Sequence, residues 1–153
     1  MKFTCTVFLL GACTIASGIA PSFSAENLRM REGVSYFHDL DQGFPLVADK
    51  MDDVCLAQGH PTLVFFGAAG DLNTNRQARR VVDLYKKYRA GQVKFVIIDV
   101  DHAQSPDARQ MMKSHYPGYI PATVLFDKQG KSKWNQTGEV ELGLIASQLE
   151  KLL

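Results

Sequence analysis

The apolar positions change their period several times along the chain, and each change predicts an element. From Pro45 they fall at helical spacing, with Val47, Met51, Val54 and Cys55 on one face and a stop at Gly59 and Pro61. Thr62–Phe66, rich in branched and aromatic side chains and bounded by Pro61 and Gly67, predicts a buried strand. After the small residues Gly67 to Gly70, Asp71, Asn73 and Thr74 offer capping oxygens to a helix reaching about Tyr88. Its inner face is Ala78, Val81, Val82, Tyr85 and Tyr88. Val93–Val100 is almost continuously apolar, as in a central strand covered on both sides. Ser105-Pro106-Asp107 opens a helix to His115 with a cap, a proline in the first turn and an acid. Ala122–Phe126 is the next strand, and Asp127 to Gly130 turns it back into Ser132–Gln136. A last helix from about Val140 carries Leu142, Ile145, Leu149 and Leu152 inward. Strand–helix alternation closed by a hairpin and a helix predicts an α/β domain, a mixed sheet with helices on both faces.

Residues 26–44 lack such a pattern. They read as a loosely ordered lead-in whose one apolar patch, Val34–Phe37, suits an edge strand. Ahead of them, Lys2, the uncharged run Phe3 to Ala20 and the small residues Ser22 to Ala25 read as a secretory signal covering residues 1–25. The expectation is therefore an exported protein, periplasmic or secreted, with its globular domain at 45–153. Two alternatives keep it at a membrane: an uncleaved apolar segment, or a lipid on Cys13, since Leu10-Gly-Ala-Cys13 resembles a bacterial lipobox.

The 153 residues, 46% hydrophobic and 22% charged, suffice for one core and leave no room for a second domain. Removing the first 24 residues takes one lysine and no acid, leaving basic and acidic side chains in equal number. With no run of Lys or Arg longer than two, nucleic acid is not an expected partner. His38, His60, His102 and His115 share no metal-ligand spacing, and nothing calls for a cofactor. Cys5 and Cys13 fall in the leader, so Cys55 is the single thiol of the mature part and no intrachain disulfide forms.

Four segments together resemble the thioredoxin superfamily, within it the exported and membrane-anchored thioredoxin-like proteins. They are His60-Pro-Thr-Leu-Val-Phe-Phe66, Val93 to Asp101, Tyr119-Ile-Pro-Ala-Thr-Val-Leu-Phe-Asp127, and the hairpin Gly130 to Gly138. The resemblance implies a thioredoxin-like three-layer α/β/α sandwich. It also implies a cis peptide bond before Pro121, proline being the residue type for which that bond costs least.

The resemblance also shows what is missing. Superfamily members carry Trp-Cys-x-x-Cys at the start of the helix after the first core strand, and those cysteine positions fall here on Asp71 and Thr74, the tryptophan on Gly70. A carboxylate does not attack a disulfide, and a hydroxyl does not resolve a mixed one. The buried acid that often serves as proton acceptor is matched by Phe65. The expectation is no catalytic residue at this site and a redox-inactive module. It would bind a protein or peptide partner in the envelope through Gly70, Asp71, Asn73, Thr74, Ile120 and Pro121, with Ile120 offering backbone hydrogen bonds to an extended segment. Simple helix capping explains Asp71, Asn73 and Thr74 equally well. The alternative enzyme reading works through Cys55 alone by mixed disulfides, although its helical spacing puts the thiol on an apolar face, where it would be inert.

Overall fold

The computed structural model describes residues 25–56, 59–88, 91–103 and 105–153, so residues 1–24, which hold all but the last residue of the expected signal and also Cys13, lie outside the described residues. The elements are β1 (Arg29–Met30), β2 (Leu46–Val47), β3 (Thr62–Gly67), α1 (Leu72–Tyr88), β4 (Lys94–Asp99), α2 (Pro106–His115), β5 (Ala122–Phe126), β6 (Ser132–Thr137) and α3 (Leu142–Glu150). The main sheet runs β4-β3-β5-β6, with β3 and β4 parallel and the other pairs antiparallel. It is mixed, and helices cover both faces.

Strand alternation explains the layering, because successive side chains leave a strand on opposite sides. Leu63, Phe65, Phe95, Ile97 and Leu125 join Ala78, Val81 and Leu84 of α1 and Ile145 and Leu149 of α3 in one core. Val64, Phe66, Val96, Ile98, Val124 and Phe126 meet Ala108 and Met111 of α2 in the other. Phe65, fully buried, adds roughly 1.5–3 kcal/mol by leaving water. Ser105 caps α2 by accepting from the Ala108 N–H at 3.0 Å. The Asp127 turn is closed by Gly130 N–H to Asp127 C=O at 2.9 Å. Trp134 packs on the core that α3 lines. Among the described residues no helix is long and apolar enough to cross a membrane.

Three expectations fail. The helix from Pro45 does not form: Leu46–Val47 is a strand paired with Arg29–Met30, and the Met51 carbonyl accepts from the Ile97 N–H at 2.9 Å. Leu46 and Met51 serve the first core, whereas Val54 and Leu56 serve the second. A helix cannot divide one stripe between two faces of a sheet; an irregular segment wrapping the edge of β4 can. Cys55, in that segment, is therefore exposed rather than buried on an apolar helix face. Second, β4 lies at the margin of the four-stranded sheet instead of its centre. Its apolar sequence reflects two covered faces and an edge flanked by residues 51–56.

Third, the segment ahead of Pro45 is not a loose lead-in. Ala25, Leu28 and Phe44 are buried in the first core. Val34–Phe37 forms no strand, because the carbonyls of Ser35 and Tyr36 accept from side chains of α1 instead of a neighbouring ladder.

Candidate functional site

The residues singled out in the sequence gather at one end of the main sheet. β3 ends at Gly67 and leads through Ala68–Gly70 into α1, while β5 begins beside it, Ala122 pairing with Phe66. The Ile120–Pro121 peptide bond is cis. Pro121 also anchors the far end of the closing hairpin, its carbonyl accepting from the Gly138 N–H at 2.7 Å.

At the start of α1, local chemistry fixes each side chain. Gly70 has φ +79°, a conformation open to glycine at little cost, and so allows the sharp entry into the helix. Asp71 acts as the cap, its Oδ2 accepting from the Thr74 N–H at 2.5 Å. Thr74 faces inward, fully buried, with Oγ1 3.5 Å from the Ala68 N–H and Cγ2 against Gly67. Asn73 is exposed, Asp71, Gly70 and Ile120 are partly exposed, and Pro121 is buried. Of the six predicted contact residues, Thr74 and Pro121 are thus out of reach of a partner's side chains. Asp71 thus presents a capping carboxylate and Thr74 an inaccessible hydroxyl.

Sequence reasoning missed the segment Ser35–Asp41, which lies across this helix start. The Asp39 carboxylate accepts from the Leu72 N–H at 2.9 Å, occupying a first-turn amide where the helix dipole favours negative charge. The Asn75 side-chain amide donates to the Ser35 carbonyl at 2.9 Å, and Arg76 Nε to the Tyr36 carbonyl at 3.1 Å. The Arg79 guanidinium sits 5.6 Å from the centre of the Tyr36 ring. Backbone and side chain of Asp41 pass so close to Gly70 that an added methyl there would meet them at 3.6 Å. This strap leaves Phe37 (79% exposed) and Leu40 (48%) facing solvent, and Tyr119, ahead of the cis bond, is 73% exposed. No spacing rule finds a cap 33 residues away in sequence.

Cys55 belongs to the opposite end of the sheet. Its carbonyl accepts from the Lys94 ammonium at 2.8 Å, and Lys94 opens β4 opposite Thr62, the first residue of β3. The chain runs from Met51, bonded beside Ile97, back toward that start, away from Pro121. At about 3.3 Å per residue, most of a six-residue strand separates the two ends. Near the Pro121 end, burial, and then the neighbouring Asp101 carboxylate, pushes the Tyr116 phenol above its usual range.

No protein-family model and no curated protein matches this sequence. Solved structures do resemble it. Fasciola hepatica thioredoxin aligns at 18% identity over 63% of this chain and 85% of its own, with a TM-score of 0.52. A structure solved for the thiol resolving mechanism in yeast mitochondrial 1-Cys peroxiredoxin via glutathione/thioredoxin systems aligns at 19% over 63% and 82%, TM-score 0.52. Oxidized mitochondrial thioredoxin 3 from Saccharomyces cerevisiae aligns at 20% over 63% and 82%, TM-score 0.50. At these identities the likeness is one of architecture, and the fold of this chain is thioredoxin-like.

Proposed function

We propose that this chain is a redox-inactive thioredoxin-like protein of the cell envelope, exported by its N-terminal segment, that binds a protein or peptide partner at the Gly67–Pro121 end of its sheet. One observation carries the reading: the helix start that would need a thiolate has a carboxylate already committed to capping and a buried threonine. Dithiol exchange has no sulfur to begin with there. What remains is a recognition surface. Asn73 and Ile120 are its accessible members, and the exposed apolar side chains of Phe37, Leu40 and Tyr119 are the kind that partners cover.

The test is affinity purification from periplasmic extract with wild type and with an Asn73→Arg, Ile120→Asp double variant, both confirmed folded. A protein retained by wild type and lost with the variant supports the reading. The same retained proteins with both overturn it.

The exposure of Cys55 supports a second reading, exchange through a single thiol. It conflicts with the position of that thiol at the far end of the sheet. Turnover of a small mixed disulfide that is abolished by Cys55→Ser would favour it.

A further inference from the structure

We infer that the Gly67–Pro121 end of the sheet docks a basic segment with an apolar centre, drawn in by acidic charge that the chain concentrates at that end. This rests on the partner-binding reading above and goes further by naming the partner's chemistry.

Strand direction sorts the charges. β3 and β4 finish at this end, β5 begins there, and β6 returns to it, Thr137 pairing with Ala122. The connections gathered there, 68–71, 100–105, 116–121 and 138–141, and the 35–41 strap hold Asp39, Asp41, Asp71, Asp101, Glu139 and Glu141 and no Lys or Arg. At the far end Lys86 and Lys87 close α1, Lys128 and Lys131 fall in the turn from β5 to β6, and Lys151 follows α3. The chain as a whole has a formal net charge of +1, so this polarity comes from placement alone.

Part of the acidic charge is already answered. Arg76 and Arg80 of α1 pair with Glu139 and Glu141, and His102 pairs with Asp99 at the end of β4. α2 opens with one charge of each sign, Asp107 and Arg109. Asp39 and Asp71 each accept from a first-turn amide of α1, where the helix dipole supplies roughly half a positive charge. Asp41 and Asp101 are exposed, and among the described residues neither enters an ion pair. Among those residues no three His, Cys, Asp or Glu side chains converge to hold a metal ion, so the charge acts as a field over the surface.

Exposed apolar side chains are segregated in the same way. Phe37, Leu40 and Tyr119 lie at the acidic end, and Leu144 lies in the first turn of α3, which starts there. In the strap, Leu40 stands between Asp39 and Asp41. Apolar groups flanked by carboxylates complement a segment that offers its own apolar side chains beside Lys or Arg, and they repel an acidic one.

The probe is a capped heptapeptide alternating lysine and leucine, titrated against the full chain. Counterparts replace every lysine by glutamate or every leucine by serine. The lysine–leucine peptide is expected to bind at least roughly tenfold more tightly than either, and to lose several-fold in affinity between about 0.05 M and about 0.5 M salt. Asp41→Asn with Asp101→Asn should weaken it roughly fivefold and remove most of the salt dependence. Phe37→Ser with Tyr119→Ser should weaken it at least as much, and Lys151→Gln at the far end should not. Amide protection of Val96 and Ile98 reports folding; if Asp41→Asn disturbs the turn that its side chain closes at Gly43, Asp101→Asn alone replaces the pair.

No binding of the lysine–leucine peptide, equal binding of the glutamate peptide, or indifference to the two Asp variants overturns the basic requirement. Equal binding of the serine peptide overturns the apolar one. Self-association at low salt that Asp101→Asn abolishes would seat a second copy by its lysine-rich end and overturn a separate partner. Envelope capture that depends on Asn73 and Ile120 yet withstands about 0.5 M salt leaves the partner reading standing while the basic segment falls. Capture indifferent to Asn73 and Ile120 removes the partner reading itself, so the two failures are distinguishable.

Discussion

Gly67 makes room for Thr74: a methyl group on Gly67 would lie 2.5 Å from Thr74 Cγ2, closer than packed carbons approach. Both are buried where β3 hands the chain to α1, and the nearest contacts also include the Phe65 ring at 3.1 Å. Gly67→Ala should therefore destabilise the protein by about 1–3 kcal/mol through overpacking. Thr74→Ser deletes the clashing methyl, so the double variant should recover most of that loss. Urea denaturation of the three variants measures it, and additive losses would contradict the contact.

Lys94 yields a pH prediction of opposite sense to most lysines. Burial holds its ammonium below the ordinary value of 10.5, against the raising influence of nearby Asp53 and Cys55. The unfolded chain then binds this proton more tightly than the folded one. Stability contributed here rises as pH climbs from the lowered folded value toward about 10.4, and below that window the burial penalty is fully present. Wild type should gain stability relative to Lys94→Met across that alkaline range, as denaturation at stepped pH will show. A constant difference between them would refute it.

Asp127 works in the acid range. Its carboxylate is held below 3.8 first by the Lys131 N–H; burial, the next largest effect, opposes this, and the Lys133 side chain and the Gln129 N–H add to the lowering. The unfolded chain here takes up the proton first. The contribution is present above pH about 4 and disappears as pH falls through the lower folded value. Asp127→Asn should flatten the acid limb of the stability profile while leaving the alkaline limb unchanged.

Cys55 should react with a disulfide reagent in the folded protein without prior unfolding, because the residue is exposed. In an insulin-reduction assay driven by dithiothreitol, the protein should give no turbidity above the reagent alone. Activity there would contradict the proposed function.

The sequence reported the core well because burial on one face leaves a period. β3, α1, α2, β5, β6 and α3 all lie where spacing, caps and turn residues predicted them. Val47, Met51, Val54 and Cys55 misled for a definable reason: their three- and four-residue intervals suit a helix, yet tertiary pairing draws Leu46 to Met30 and Met51 to Ile97. The two-residue strands β1 and β2 are too short to show alternation. Of the site, Asp71 as a cap was legible from its place before the helix. The cover over that cap was not, since the bonds from Asp39, Ser35 and Tyr36 span 33 to 40 residues and involve main-chain atoms that every residue owns.

The inward position of Thr74 also bears on how readily such a protein could acquire exchange chemistry by mutation. Cysteine at 71 alone would remove the helix cap and stand without a resolving neighbour, and cysteine at 74 alone would be sealed inside. Each single step would give up a capping or packing contact and supply one thiol at most, so a dithiol cycle at this helix start would need both changes together.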